Sequence, residues 1–397
     1  MDISDANINE EVERQLGFRI YVALRELPQQ RSNAEALAAW QCGCFSSGAI
    51  PLKQYLQQCV IFSKKGNIVN KKKKLAKNLI LISIPLIALC VAAYILPMKY
   101  MSVEYVMWDE EFENSADPYM DATTLIIGDS RAKSSVLPAQ LHEDTYNIAI
   151  GGATPIEMYY AVENYIEHNG APKNAVVVFA PYHFCDIDNW DQTLYFNFLS
   201  ADEIAKIYVT ALKSNDPIVA SKGRIPDMIS YRLRLPSKYL AQMYESKFIG
   251  REQENREKFD SIRADLGYCE FGSADGDDGY TMEVNHETFD YSPLVVYYYE
   301  KLIEMLDANN VNVIIAQPPI NQASGDLMKE GFVTGFSDYM KDVASRYPDM
   351  HVISEIPIYP NSLFGDSIHV NRKGAGVYTD ELRDYMESID FWASKNK

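Results

Sequence analysis

Two short segments, far apart in the chain, carry side chains suited to acyl chemistry. The first reads Gly128-Asp129-Ser130-Arg131; the second reads Asp366-Ser367-Ile368-His369 and is followed by Asn371. A serine hydroxyl becomes a useful nucleophile only when a base takes its proton, and histidine is such a base near neutral pH. The base needs a carboxylate to orient it, and Asp366 stands three residues before His369, within one turn. Each segment alone is an ordinary turn sequence. Together they are a far more specific signal, with Ser130 as candidate nucleophile, His369 as candidate base and Asp366 as candidate orienting acid. A serine at a strand-to-helix turn also brings N–H groups of the following helix, its own included, to where an oxyanion would form.

Arg131 directly follows the nucleophile, and two readings of it stay open. Its guanidinium could hold a carboxylate or phosphate of an acyl donor or polymer, or it could pair with an acidic neighbour. Aromatic residues cluster at 182–190, 195–198 and 297–299. Sugars stack on exposed rings, so Tyr182 and Trp190 are candidate walls of a glycan groove. The opposing reading makes these rings core, and helical spacing favours it for 297–299.

Other chemistries lack their residues. No carboxylate pair has glycosidase-like support, and no Gly-x-x-x-x-Gly-Lys loop is present. His142, His168, His286 and His351 are scattered, so neither a metal site nor a cofactor is expected. The run Asp275-Gly276-Asp277-Asp278-Gly279 lacks the twelve-residue calcium-loop spacing ending in glutamate and reads as solvated. Cys42-Gly-Cys44 is too short for a common zinc spacing.

The elements that must position Ser130 and His369 follow from the apolar pattern. Short apolar runs at 123–127, 146–150, 175–180, 311–316 and 351–354 read as strands. Helical patterns at 156–168, 292–308, 336–346 and 374–387 lie between or after them. Strands alternating with helices predict an α/β fold, a flavodoxin-like parallel sheet covered by helices on both faces. Ligands of such sheets sit at the carboxyl ends of the strands, and Ser130 follows the first strand. Residues 184–290 are too long for a simple connection and read as an insertion over that edge.

The N-terminal part is different. Residues 78–97 contain no charged side chain, enclose Pro85 and are preceded by Lys71, Lys72, Lys73, Lys74 and Lys77. About 20 apolar residues suffice to cross a bilayer, and lysines mark the cytoplasmic flank. A buried core helix and a cleaved signal peptide are the competing readings. Residues 1–77 hold 12 Lys+Arg against 7 Asp+Glu, and residues 98–397 hold 25 against 48. The formal charge of −18 is therefore a small +5 end and a −23 remainder. The acidic part shows no basic stripe on which nucleic-acid binding could rest.

The expected organisation is a cytosolic segment 1–77 with helical stretches at 10–27 and 32–41, a span 78–97, a linker 98–119 and an external domain 120–390. Cys185 and Cys269 would lie outside, where a disulfide is allowed, and spacing leaves open whether they meet.

Over about residues 120–390 the chain resembles the SGNH/GDSL hydrolase superfamily, through Gly128-Asp129-Ser130 and Asp366-x-x-His369. Asn147-Ile-Ala-Ile-Gly151-Gly152 is similar to the second block of that family, which implies the Gly152 N–H as an oxyanion donor beside that of Ser130. The third block departs. Phe179-Ala180-Pro181-Tyr182-His183 stands where the family has Gly-x-Asn-Asp, leaving Tyr182 or His183 as candidate replacements, or His183 as a packing residue only.

In layout the chain is similar to the D-alanyl transfer protein of teichoic acid assembly and to alginate acetyltransferases, whose partners are membrane-bound O-acyltransferases. The resemblance implies a membrane-anchored enzyme that transfers or hydrolyses an O-acyl ester on an extracytoplasmic glycan or envelope polymer. The alternative is an inactive shell that binds glycan or an acyltransferase partner.

Overall fold

The computed structural model describes residues 68–95, 103–117, 122–187, 198–216 and 251–393, with single positions between 190 and 244. The stretches expected to be helical at 10–27 and 32–41, the Cys42–Cys44 pair and Tyr195 lie outside the described residues.

Helix α1, Ile68–Ile95, has Pro85 inside it. Its segment Lys74–Ala92 is 19 residues long with mean hydropathy 2.2, and none of it is buried. Leu79, Ile80, Leu81, Ile84, Leu86 and Ile87 are all more than half exposed, which is not the packing of a core helix. The segment is long and apolar enough to cross a membrane.

The remainder of the described chain is built on a five-stranded parallel sheet. Its strands are β1 (Thr124–Gly128), β2 (Thr145–Asn147), β3 (Asn174–Val178), β4 (Asn312–Ala316) and β6 (His351–Val352), in the order β2-β1-β3-β4-β6. Successive strand side chains point to opposite faces, and the sequence uses both. Leu125, Ile127, Ala175, Val177, Val313 and Ile315 enter one apolar core. Ile126, Val176, Val178, Ile314 and Ala316 enter the other. Continuous apolar runs are what a strand buried on both faces requires.

Helices cover both sides. On the first face lie α5 (Pro155–Asn169), α8 (Pro293–Ala308) and α10 (Glu330–Arg346), contributing residues such as Ile156, Leu302 and Phe336. On the second lie α3 (Ser130–Ser135) and α11 (Arg372–Ser388), contributing Ala132, Tyr378 and Leu382. Between these come α4 (Pro138–Leu141), α6 (Ala201–Lys213), α7 (Arg251–Ala264) and α9 (Gln322–Gly325). A parallel pair, β5 (Ile320–Asn321) with β7 (Ile358–Tyr359), was not expected from the pattern.

Three expectations are corrected. Strand β2 ends at Asn147 rather than residue 150; beyond it the Ala149 N–H turns to Asn147 Oδ1, while Ile148 and Ile150 still donate to Ile126 and Gly128 of β1. Residues 103–116 are not a linker: they form helix α2 (Val103–Ala116), with Met107, Trp108, Glu110, Glu111 and Asn114 buried. The 184–290 region is not simply a cover over the sheet edge. Helix α6 buries Ile204, Ile207 and Ala211 in the first core.

Cys185 and Cys269 are both free and sit in different apolar clusters, so no disulfide joins them. Tyr298 and Tyr299 are core, while Tyr297 is partly exposed.

Candidate active site

In the sheet order, β1 is flanked by β2 on one side and β3 on the other, so the chain's crossovers depart in opposite directions there. A crevice opens at the carboxyl end of such a switch point. Gly128 closes β1 opposite Val178 of β3. A Cβ on Gly128 would lie 1.8 Å from Val178 O and 2.6 Å from Ala132 Cβ. Only glycine permits α3 to start this close to the sheet. Asp129 is the N-cap of α3: its Oδ1 accepts the N–H groups of Arg131 and Ala132 at 2.8 and 3.4 Å. Its Oδ2 accepts Ala180 N–H at 2.7 Å, which ties the end of β3 to the start of α3. Ser130 is thereby set on the first residue of a capped helix at the switch point.

The second segment meets it there. His369 Nε2 lies 2.8 Å from Ser130 Oγ. His369 Nδ1 lies 2.9 and 3.1 Å from the two oxygens of Asp366. Asp366 Oδ1 also accepts the N–H groups of Ile368 and His369, at 2.9 and 2.7 Å. Burial raises the Asp366 carboxyl, but the His369 hydrogen bond and charge, with the two backbone donors, outweigh it and hold the group below the ordinary carboxylate range. The His369 ring is stacked by Phe271, with centroids 4.7 Å apart. Asn371 caps α11 through Gly374 N–H and donates to Ala274, Ser362 and Phe364 carbonyls, which fixes the loop carrying Asp366. Serine, imidazole and carboxylate form one hydrogen-bonded chain, able to move the serine proton onto the ring.

A cavity of about 430 Å³ opens beside this chain. Ser130, Gly152, Tyr182, His183 and His369 all border it, with Met107, Phe271 and Ile368 as apolar wall and Lys258 as a cation. Gly152 has φ of +79°, a left-handed conformation that glycine adopts without strain. Asn147 reaches across, its Nδ2 donating to Ala132 O at 3.0 Å, and so braces the loop before Gly152 against the helix of Ser130. His183 is buried with Nε2 3.5 Å from Asp129 Oδ2 and its ring against Tyr182.

Two expected binding residues are placed otherwise. Trp190 is only 1% exposed, lies in the first core and meets Tyr208 edge-on. It is not a wall of a sugar groove, because burial of an indole among apolar neighbours removes its face from any ligand. Arg131 borders the cavity, but its guanidinium makes a bidentate pair with Glu283 at 2.8 and 2.9 Å. Of the two readings of Arg131, this is the ion pair. Burial alone would push Glu283 up; the Arg131 charge and hydrogen bonds outweigh it and hold the carboxyl low. Among the described residues, no group of three or more His, Cys, Asp or Glu is arranged to hold a metal.

Glu283, Phe271 and Met107 were not singled out by the sequence, and Asp129 entered only as part of its motif, with no role. Asp129 was legible, since an aspartate at the strand-to-helix boundary is a cap signal. The other three reach the site only through tertiary packing. No known protein-family model matches the chain, and no curated protein matches it in sequence.

Proposed function

We propose that this protein is a membrane-anchored, serine-dependent enzyme of SGNH type that transfers or hydrolyses an O-acyl ester on an extracytoplasmic glycan or envelope polymer. The observation that carries this reading is the continuous chain from Ser130 Oγ through the His369 ring to Asp366, at the mouth of a cavity on the sheet's carboxyl edge. In this mechanism Ser130 attacks the acyl carbonyl while His369 takes its proton. The N–H groups of Ser130 and Gly152 receive the oxyanion. The alcohol leaves with the proton held by His369, and a sugar hydroxyl or water then releases the acyl group from Ser130.

The apolar helix α1 and the lysines before it support anchoring with the N-terminus inside and the Ser130 domain outside. A membrane-bound O-acyltransferase is the expected partner, supplying acyl groups across the bilayer. The test is labelling of the full chain in detergent with a fluorophosphonate, which captures activated serines. The wild-type chain should label at Ser130, and Ser130→Ala should label not at all while melting at the same temperature. A folded wild-type chain that does not label would favour the inactive, glycan- or partner-binding shell.

A further inference from the structure

Helix α2 touches the site through a contact that the proposed reaction has not yet used. Trp108 Nε1 donates to the carbonyl oxygen of Gly151 at 3.2 Å, and both groups are buried. Trp108 is 1% exposed, packs edge-on against Phe198 at 5.4 Å and does not border the cavity. The Gly151 carbonyl and the Gly152 N–H belong to one peptide unit. No described peptide bond is cis, and in a planar trans peptide the carbonyl and N–H point in opposite directions. A carbonyl held toward the core by the indole therefore sends the Gly152 N–H the other way.

The unit also needs holding. It joins two glycines, which lack the Cβ that would restrict rotation of the peptide plane. Its flanks are tied to the sheet by Ile150 N–H to Gly128 O and closed by Ala153 N–H to Ile150 O. Neither bond sets the plane between Gly151 and Gly152. The indole N–H does, and by drawing on the carbonyl it also polarises the same peptide's N–H as a donor.

We infer that Trp108 is a positioning residue that locks the Gly151–Gly152 peptide with its N–H toward the oxyanion. This rests on the serine reading proposed above. The residue stands in α2, the helix that follows the apolar segment in sequence.

The test compares 4-nitrophenyl acetate with its thionoester, in which sulfur replaces the carbonyl oxygen, on the full chain in detergent. Sulfur profits little from an oxyanion donor, so the oxygen-to-sulfur rate ratio reports the donor's alignment. Trp108→Phe keeps a ring against Phe198 and loses the N–H. It should lower kcat on the oxygen ester by about 10–100-fold, at or below the roughly 100–1,000-fold cost of losing one oxyanion donor outright, because the N–H is misaligned rather than removed. KM should be unchanged and the oxygen-to-sulfur ratio should fall by the same factor.

Should Trp108→Phe fold poorly, 3-benzothienylalanine at position 108 keeps the bicyclic shape without the N–H and should show the same fall. Equal losses on both esters, or no loss in a folded variant, would overturn the positioning role while leaving the serine reading intact. A wild-type chain that neither turns over ester nor labels at Ser130 removes both.

Discussion

Asp366 keeps a 38% exposed side chain, yet three donors converge on its carboxylate. Its native pKa is lowered, so the stability it supplies is present above the ordinary carboxylate value and is lost as pH falls through the lowered one. The orienting acid therefore stays ionised across the neutral range. That Ser130, His369 and Asp366 would meet was legible because residue type and spacing alone suggest it. Trp190 was legible only as either groove wall or core, because an aromatic cluster looks the same in sequence whether it lines a groove or fills a core.

Arg131 was legible only as a pair of alternatives, since its partner Glu283 lies 152 residues away. Both side chains are buried, at 3% and 0% exposure, so removing one leaves the other charge unpaired in the interior. Arg131→Ala should cost about 3–5 kcal/mol, read by thermal or urea unfolding in detergent. Replacing both, as Arg131→Met with Glu283→Leu, should recover most of that loss. A double variant no more stable than Arg131→Ala would contradict the buried-pair argument.

At the scale of elements, the strands were readable because a strand buried on both faces must be apolar throughout. Helix α2 was not, because its sequence, VEYVMWDEEFENSA, carries the charges of a solvated segment. Two of those carboxylates, Glu110 and Glu111, are buried and find a partner for one oxygen each. Lys133 Nζ lies 2.5 Å from Glu111 Oε1 with both side chains fully buried, and the Tyr146 hydroxyl donates to Glu110. Burial pushes the Glu110 carboxyl up to about 8, and Glu111 pushes the same way against the opposing pull of Lys133.

A raised carboxyl means the native state holds a proton that the unfolded chain releases. The associated stability is complete below the unfolded value of 4.5 and is lost as pH rises through about 8. Thermal midpoints should therefore fall between pH 5 and 8, with a slope of at most about 1.4 kcal/mol per pH unit for this one proton. Glu110→Gln should flatten that segment of the profile. An unchanged slope in Glu110→Gln would show that other groups control it.

For the molecule as a whole, the charge of −18 is the sum of unlike parts, and the acidic −23 portion is the one bearing Ser130, Asp366 and His369. Long-range attraction does not draw a polyanionic polymer to so acidic a domain. An anionic substrate would have to be gripped locally; Arg131 is engaged by Glu283, and Lys258, which also borders the cavity, donates to Glu270 O at 3.2 Å.

If residues 98–119 were a spacer, cutting at residue 118 would be harmless. Instead α2 fills space in the first core through Trp108 and neutralises Lys133 through Glu111. On the anchored reading proposed above, a chain beginning at residue 98 should leave the membrane fraction and melt cooperatively, because it keeps α2 and discards the exposed leucines and isoleucines of α1. A chain beginning at residue 118 loses a buried indole and strands a buried ammonium. Each loss costs about 3–5 kcal/mol, together comparable to the whole stability of a typical domain. It should therefore be aggregated or unfolded by circular dichroism and lose fluorophosphonate labelling. A folded, labelling 118–397 fragment would contradict α2 as part of the domain, and with it the route from Trp108 to the Gly151 carbonyl.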